Sequence, residues 1–393
     1  MNILLTIHEK FDPDSGSAGS TFKLGQEYQK LGHKVFYYSF DNLPSWLPRP
    51  IKGVIFPEVV ASQLIRYSTQ SDIDLDVVDA STGDAWLWGK IIQNLTQKLP
   101  LLVTRSHGLQ HLDHLNVLEN VSHGKQELSW KYRLYRGSFQ LWEVATSLRC
   151  ADLVFLLNRD EKKYAIEQLG VTSEKIHIFP NGMPEEFLNL PFELISEAEN
   201  ATIRIAQIGT YIPRKGIDYS IPALNRILAR YPQVEISFFG TECRMCPHVE
   251  RVYADFDPAV RDRVRVIPRY RHETLPRLLK GHHIKLFSST SEGFGKALVE
   301  AMACGLAPIT TATPGPLEIV RDGYDSIVIP VRNTIAIEQA LERLITDRPY
   351  LEQLRQKAHQ TAQQYSWKTI AQQRLLLYEK ALHHRRQFSH SAI

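Results

Sequence analysis

The sequence predicts an α/β protein made of two doubly wound, Rossmann-like domains. Three observations carry this. Short, nearly continuous apolar runs recur along the 393 residues, as strands buried on both faces of a parallel sheet require. The stretches between the runs space their apolar residues at helical intervals. At roughly 150 residues per domain, the length suits two domains or three. In the first half, strands are expected at Asn2–Ile7, Lys34–Phe40, Val54–Phe56, Leu75–Ala80, Leu101–Ser106, Leu153–Leu157 and Lys175–Phe179. A second series is expected at Ile203–Ile208, Val234–Phe239, Val264–Ile267, Ile284–Ser288, Ala307–Thr311 and Ser326–Ile329. Between them, Leu24, Tyr28 and Leu31 share one helical face, as do Ile217, Ile221, Leu224, Leu228 and Tyr231. Such βαβ alternation yields parallel sheets covered by helices.

The two series part at Pro191–Thr202, a polar, acidic stretch without an apolar period, which reads as a linker. Domains are therefore expected at 1–190 and 203–365, with a linker at 191–202. A last helix over 366–386, capped by Ser366, would carry Trp367, Ile370, Ala371, Leu375, Tyr378 and Leu382 on one stripe.

Composition narrows the function. Apolar and charged fractions of 43% and 23% are those of an ordinary soluble enzyme. A net charge of +3 gives no basic face of the kind nucleic acid demands. Four cysteines do not make a disulfide framework. The N-terminus lacks a basic leader, and no run approaches the roughly 18 apolar residues of a spanning helix. A cytoplasmic location is expected. The stretch Lys125–Arg149 mixes Trp130, Tyr132, Tyr135, Phe139, Leu141 and Trp142 with Lys131, Arg133 and Arg136. It reads either as a packed helix with a basic face or as a peripheral contact with the inner face of a membrane.

Ligands of open α/β sheets bind beyond the carboxyl ends of strands, so the strand exits hold the candidates. The first strand runs into a loop with Gly16 and Gly19 ahead of a helix. That loop is either an anion-binding turn or a structural one. The Leu101 strand leads to His107, which either reaches a cleft or simply packs. The Ile203 strand leads into Gly209-Thr210, then Arg214-Lys215-Gly216. Two cations and glycines between strand and helix suit a pyrophosphate. The Ile284 strand leads into Glu292-Gly293-Phe294-Gly295 and a helix carrying Glu300. Its amides suit a phosphate or sugar oxygen, and the flanking carboxylates can accept sugar or ribose hydroxyls.

These motifs resemble retaining glycosyltransferase family 4, the group 1 glycosyltransferases. The carriers are EGFGKALVEAMACG with its two glutamates eight apart, TPGPLEIVRDG with Glu318, GTYIPRKG, the PNGM at Pro180–Met183 and LGHKV at Leu31–Val35. The resemblance spans nearly the whole chain and is most specific in the second half. It implies the GT-B architecture, two Rossmann-like domains facing an interdomain cleft. It also implies transfer of a sugar from a nucleotide-diphospho-sugar, with uridine donors expected ahead of guanosine, to a glycan, lipid-linked or small-molecule acceptor. By resemblance Glu292 and His107 meet the transferred sugar, Glu300 the ribose, and Lys215 the diphosphate. Gly293, Phe294 and Gly295 would offer amides, and Gly16 and Gly19 would lie near phosphates or acceptor. No metal or cofactor is implied. One departure is Thr210, where many members carry arginine; Arg214 is the candidate substitute. The last helix is implied to cross back to the first domain.

Three rivals are kept. Cys243, Cys246 and His248 have a zinc-like spacing. A nicotinamide dehydrogenase would give no reason for Glu292 and Glu300. An inactive sugar-nucleotide-binding or regulatory protein could keep the same fold.

Overall fold

A computed structural model describes residues 1–69, 73–92, 99–122, 124, 127–194 and 202–390, the last three without their side chains. The chain forms two compact units. One comprises Met1–Gly182 and Trp367–Ile393, the other Met183–Ser366. Residues 183–190, expected in the first domain, thus group with the second. Most of the expected linker, 195–201, lies outside the described residues.

The first unit holds β1 (Asn2–Ile7), β2 (Lys34–Ser39), β3 (Val77–Ser81), β4 (Leu101–Arg105), β5 (Leu153–Leu156) and β6 (Ile176–Ile178). All pair in parallel, in the order β2-β1-β3-β4-β5-β6. The expected strand at Val54–Phe56 is instead part of helix Arg49–Thr69. Phe56, Val60, Ala61 and Leu64 recur there at helical spacing and enter the core, which overrides the β-branched run. Helix Trp367–His390 lays Trp367, Ile370, Ala371, Leu375 and Tyr378 on the other face of this sheet, beside Ile3, Leu5, Leu24 and Tyr28. Its Tyr378 hydroxyl donates to Asp79 Oδ2 at 2.7 Å. Asp79 in turn holds Arg105 Nη1 at 2.7 Å, so the strand-borne charge is satisfied inside the protein.

The second unit holds β7 (Ile203–Ile208), β8 (Val234–Phe239), β9 (Val264–Ile267), β10 (Ile284–Phe287), β11 (Ala307–Thr311) and β12 (Ile327–Ile329). These are parallel in the order β12-β11-β10-β7-β8-β9. Ile203, Ile205, Ile284, Leu286, Ala307 and Ile309 face one core with Leu224, Leu228 and Leu341.

Each order has one point where successive connections turn opposite ways. In the first sheet it lies between β1 and β3; in the second, between β7 and β10. A crevice opens at such a switch point beyond the strand ends.

Candidate functional site

At the second sheet's switch point, the loops after β7 and β10 are laced together. The Thr290 amide donates to the Arg214 carbonyl at 2.9 Å, and Ser288 Oγ donates to the Lys215 carbonyl at 3.0 Å. Gly216, at φ +73°, lies so close to β10 that a Cβ would stand 1.9 Å from the Ser288 carbonyl oxygen. This lacing presents Lys215 Nζ directly to Glu292 Oε1. The same oxygen accepts from Ser289 Oγ at 3.0 Å and has Arg214 Nη1 3.8 Å away. Burial works to raise the Glu292 pKa, but Lys215 and Arg214 outweigh it, and the carboxyl is held below its usual value. Arg214 therefore does reach the group beside which Thr210 leaves a cation missing.

Glu300 lies on the buried side of helix Lys296–Ala303. His272 Nε2 stands 2.6 Å from its Oε1, and Lys296 Nζ stands 3.6 Å from it. Here too burial raises the pKa, while Lys296 and His272 bring it below the usual value. The His272 ring stacks on Phe187, 5.1 Å between centroids. Gly293 and Phe294 are pinned by the 314–317 turn. The Gly315 amide donates to the Glu292 carbonyl at 3.1 Å, and a Cβ on Gly315 would meet Phe294 N at 2.5 Å. Gly295, at φ +97°, starts the helix. The result is a pair of engaged carboxylates, two cations and a helix start at one strand edge, a set able to hold a phosphorylated sugar.

The first sheet's switch point carries an imidazole–carboxylate pair that spacing did not reveal. His8 Nδ1 and Asp84 Oδ1 stand 2.7 Å apart, and Thr6 Oγ1 donates to Asp84 Oδ2 at 2.6 Å. Desolvation lowers the His8 pKa, but Asp84 more than offsets it and the net shift is upward. His107, at the next strand exit, has Nε2 3.5 Å from Thr21 Oγ1. Burial, then Arg105 and His8, hold its pKa well below the imidazole value, so it stands neutral with one nitrogen to donate and one to accept. The glycine loop departs from expectation. Glu9 accepts from the Ser17 hydroxyl and, at 2.8 Å, from the Ala18 amide. The chain's own carboxylate thus takes the helix-start donors that were expected to meet an anion. Gly19 is needed for a different reason, since a Cβ would sit 2.5 Å from the Pro13 carbonyl oxygen. Around Gly16 the space is open among the described residues.

Residues 195–361, nearly all of the second unit, match the family model of glycosyl transferases group 1. The chain is 28% identical over 387 residues to the phosphatidylinositol N-acetylglucosaminyltransferase gpi3 subunit of Schizosaccharomyces pombe, covering 95% of this chain and 79% of that one. The chain belongs to the group 1 glycosyl transferases. A second relative is the corresponding phosphatidylinositol N-acetylglucosaminyltransferase chain of Arabidopsis thaliana. It is 23% identical over 74% of this chain and is spanned over 65% of its own length. Among solved structures, sucrose-phosphate synthase from Thermosynechococcus elongatus superposes with a TM-score of 0.74 at 19% identity, covering 96% of this chain and 98% of that one. Anabaena HepE in complex with UDP gives 0.71 at 18%, covering 97% and 100%. Both units of this group 1 glycosyltransferase are Rossmann-like, the GT-B fold.

Among the residues that sequence reasoning passed over in this transferase are His8, Asp84, His272, Lys296 and Lys285. The zinc-like cysteines fold into a small bridge, Cys243 and Cys246 exchanging backbone hydrogen bonds of 3.1 and 3.0 Å. Cys246 Sγ donates to the His248 carbonyl at 3.5 Å, so thiol and histidine meet through backbone. Among the described residues, no three His, Cys, Asp or Glu side chains gather as a metal site. Of the alternating aspartates, Asp72 lies outside the described residues. Asp76 accepts from the Asn2 amide at 2.7 Å, a structural tie at the start of β1.

Proposed function

We propose that this chain is a retaining family 4 glycosyltransferase whose donor is a nucleoside-diphospho-sugar, a UDP-sugar ahead of a GDP-sugar. The observation that carries this is the Lys215–Glu292 pair at the β7/β10 switch point, flanked by Arg214 and backed by Glu300. Lys215 and Arg214 take the diphosphate together with the amides of Gly293–Gly295, Glu300 takes the ribose, and Glu292 the sugar. His107 meets the sugar from the first unit. As the glycosidic bond breaks, negative charge grows on the departing diphosphate, where fixed cations and a helix start stabilise it. The acceptor hydroxyl bonds the anomeric carbon and its proton leaves with the diphosphate oxygen. HepE, solved with UDP, supports the uridine donor.

Calorimetric titration tests the reading. UDP is expected to bind, and Lys215→Ala to weaken it about ten- to a hundredfold, the worth of a charge-assisted hydrogen bond. Failure of both UDP and GDP to bind, or a Lys215→Ala affinity equal to wild type, would overturn it.

A lipid-linked acceptor, met at the cytoplasmic face of a membrane, is the second part of the proposal. Trp130 and Leu134 are about two-thirds exposed, at 67% and 66%, on a helical stretch with exposed Lys131, Arg133 and Arg136; Lys125 lies outside the described residues. Apolar side chains amid cations suit an anionic interface. Among the described residues no helix is long and apolar enough to cross a membrane. Wild type is expected to float with phosphatidylglycerol-containing vesicles but not with pure phosphatidylcholine, and Trp130→Ala with Leu134→Ala to abolish flotation. Absence of wild-type flotation would sink this part alone.

A further inference from the structure

Lys285 is fully buried, yet its ammonium nitrogen has no hydrogen-bond partner among the described residues. On β10, Ile284 and Leu286 point into the core, which puts Lys285 and Phe287 on the opposite face. Phe287 packs toward the helix start at Gly295, where a Cβ would meet its Cζ at 3.5 Å. Lys285 Nζ lies 5.5 Å from the Phe287 ring centroid, and Lys215 Nζ lies 5.6 Å from it. A single ring thus lies beside both lysines, one at the site and one a layer below it. A buried amine with no partner costs stability, and such costs persist where function uses them.

We propose that Lys285 is the proton-accepting positioning residue of the donor site: when a nucleoside diphosphate draws Lys215 away from Glu292, Lys285 takes a proton from solvent and becomes the cation that Glu292 faces. This rests on the diphosphate reading above. Without ligand, Lys215 satisfies Glu292, and Arg214 and Ser289 assist. Lys296 and His272 satisfy Glu300. Burial, then the Lys215 charge, press the Lys285 pKa well below the ordinary lysine value, against the pull of Glu292 and Glu300. A diphosphate reverses that balance. It brings anionic charge, moves Lys215 outward and leaves Glu292 as a buried, underpaired carboxylate, an arrangement that is strongly unfavourable. Protonation of Lys285 restores an opposite charge with no side chain entering the ligand's space.

The test is calorimetric titration of the full chain with UDP, and GDP in parallel, at pH 8 in Tris and in HEPES. The difference in observed heat counts the protons. pH 8 lies above ordinary imidazole and phosphate titration. Wild type is expected to take up about one proton per UDP, and its affinity to fall about tenfold per pH unit between pH 8 and 9. Lys285→Met and Lys285→Gln are expected to bind UDP with no proton uptake and a flat pH dependence. The unfolded chain protonates this lysine and the folded chain does not, so the amine opposes folding at pH 8. Lys285→Met is therefore expected to melt higher than wild type in the absence of UDP. Wild-type binding without proton uptake overturns the inference while leaving the diphosphate site standing, as does full uptake in either variant. Absence of any UDP or GDP binding removes both. The wild-type proton count decides the matter even where a variant fails to fold.

Discussion

Glu292→Gln is expected to lower kcat by roughly 10²–10³-fold, the scale of losing one fixed electrostatic partner of a transition state, while UDP affinity holds or tightens. The opposite signs follow from the geometry. In the unliganded protein Glu292 occupies Lys215 and lies 3.8 Å from Arg214. A diphosphate must compete with that carboxylate for both cations. Glutamine keeps the shape and the Ser289 hydrogen bond but gives up the charge, so the cations stand free for the phosphates. At the sugar, the same charge is what stabilises the positive character that develops at the anomeric carbon. The variant thus removes an interaction made in the transition state and not one made in substrate binding, a pattern that lowers kcat without raising KM. Steady-state kinetics with varied donor, together with a UDP titration, separate the two. Equal losses in kcat and in UDP affinity would mean that Glu292 only shapes the loop. The variant also removes the underpaired carboxylate to which Lys285 responds, so UDP should bind it without proton uptake.

The sequence made this site legible where chemistry is local and hid it where topology supplies the partner. Continuous apolar runs such as Ile203–Ile208 read directly as strands, because both faces of a parallel sheet are covered. Glu292 and Glu300 stand eight apart around a glycine pair, and Arg214 and Lys215 stand between strand and helix, so both motifs could be read in place. His8 and Asp84 are separated by 76 residues in the chain and meet only because β1 and β3 are neighbours. His272 reaches Glu300 across 28 residues for a similar reason. Lys285 was hidden by pattern itself. A lysine alternating with Ile284 and Leu286 reads as the solvent side of a strand, but a sheet with helices on both faces has no solvent side. Val54–Phe56 misled in the other direction: a β-branched run outweighed the helical spacing of Phe56, Val60 and Leu64. Gly19 was rightly marked as a position requiring glycine, yet the close approach is of the loop to itself.

Gly216→Ala is expected to destabilise the second unit by roughly 3 kcal/mol or more, within the range seen when a special backbone position is violated, and to abolish UDP binding. Two costs combine. The residue sits at φ +73°, where a Cβ adds about 1–2 kcal/mol. The new methyl would also stand 1.9 Å from the Ser288 carbonyl oxygen and 2.7 Å from its carbon, atoms of β10's exit that cannot rotate away. The β7 turn must therefore lift off, breaking the Thr290–Arg214 and Ser288–Lys215 hydrogen bonds that aim both cations. Gly32→Ala provides the control. Its φ is +85° but no described atom lies within 4 Å of its Cβ, so it bears the conformational cost alone. At about 2–4 °C per kcal/mol for a unit of this size, Gly216→Ala should melt roughly 6–12 °C below wild type and clearly below the control, with no heat on UDP titration. Equal melting temperatures for the two variants, with UDP binding intact, would show that the turn and the β10 loop are held together by something other than this backbone contact.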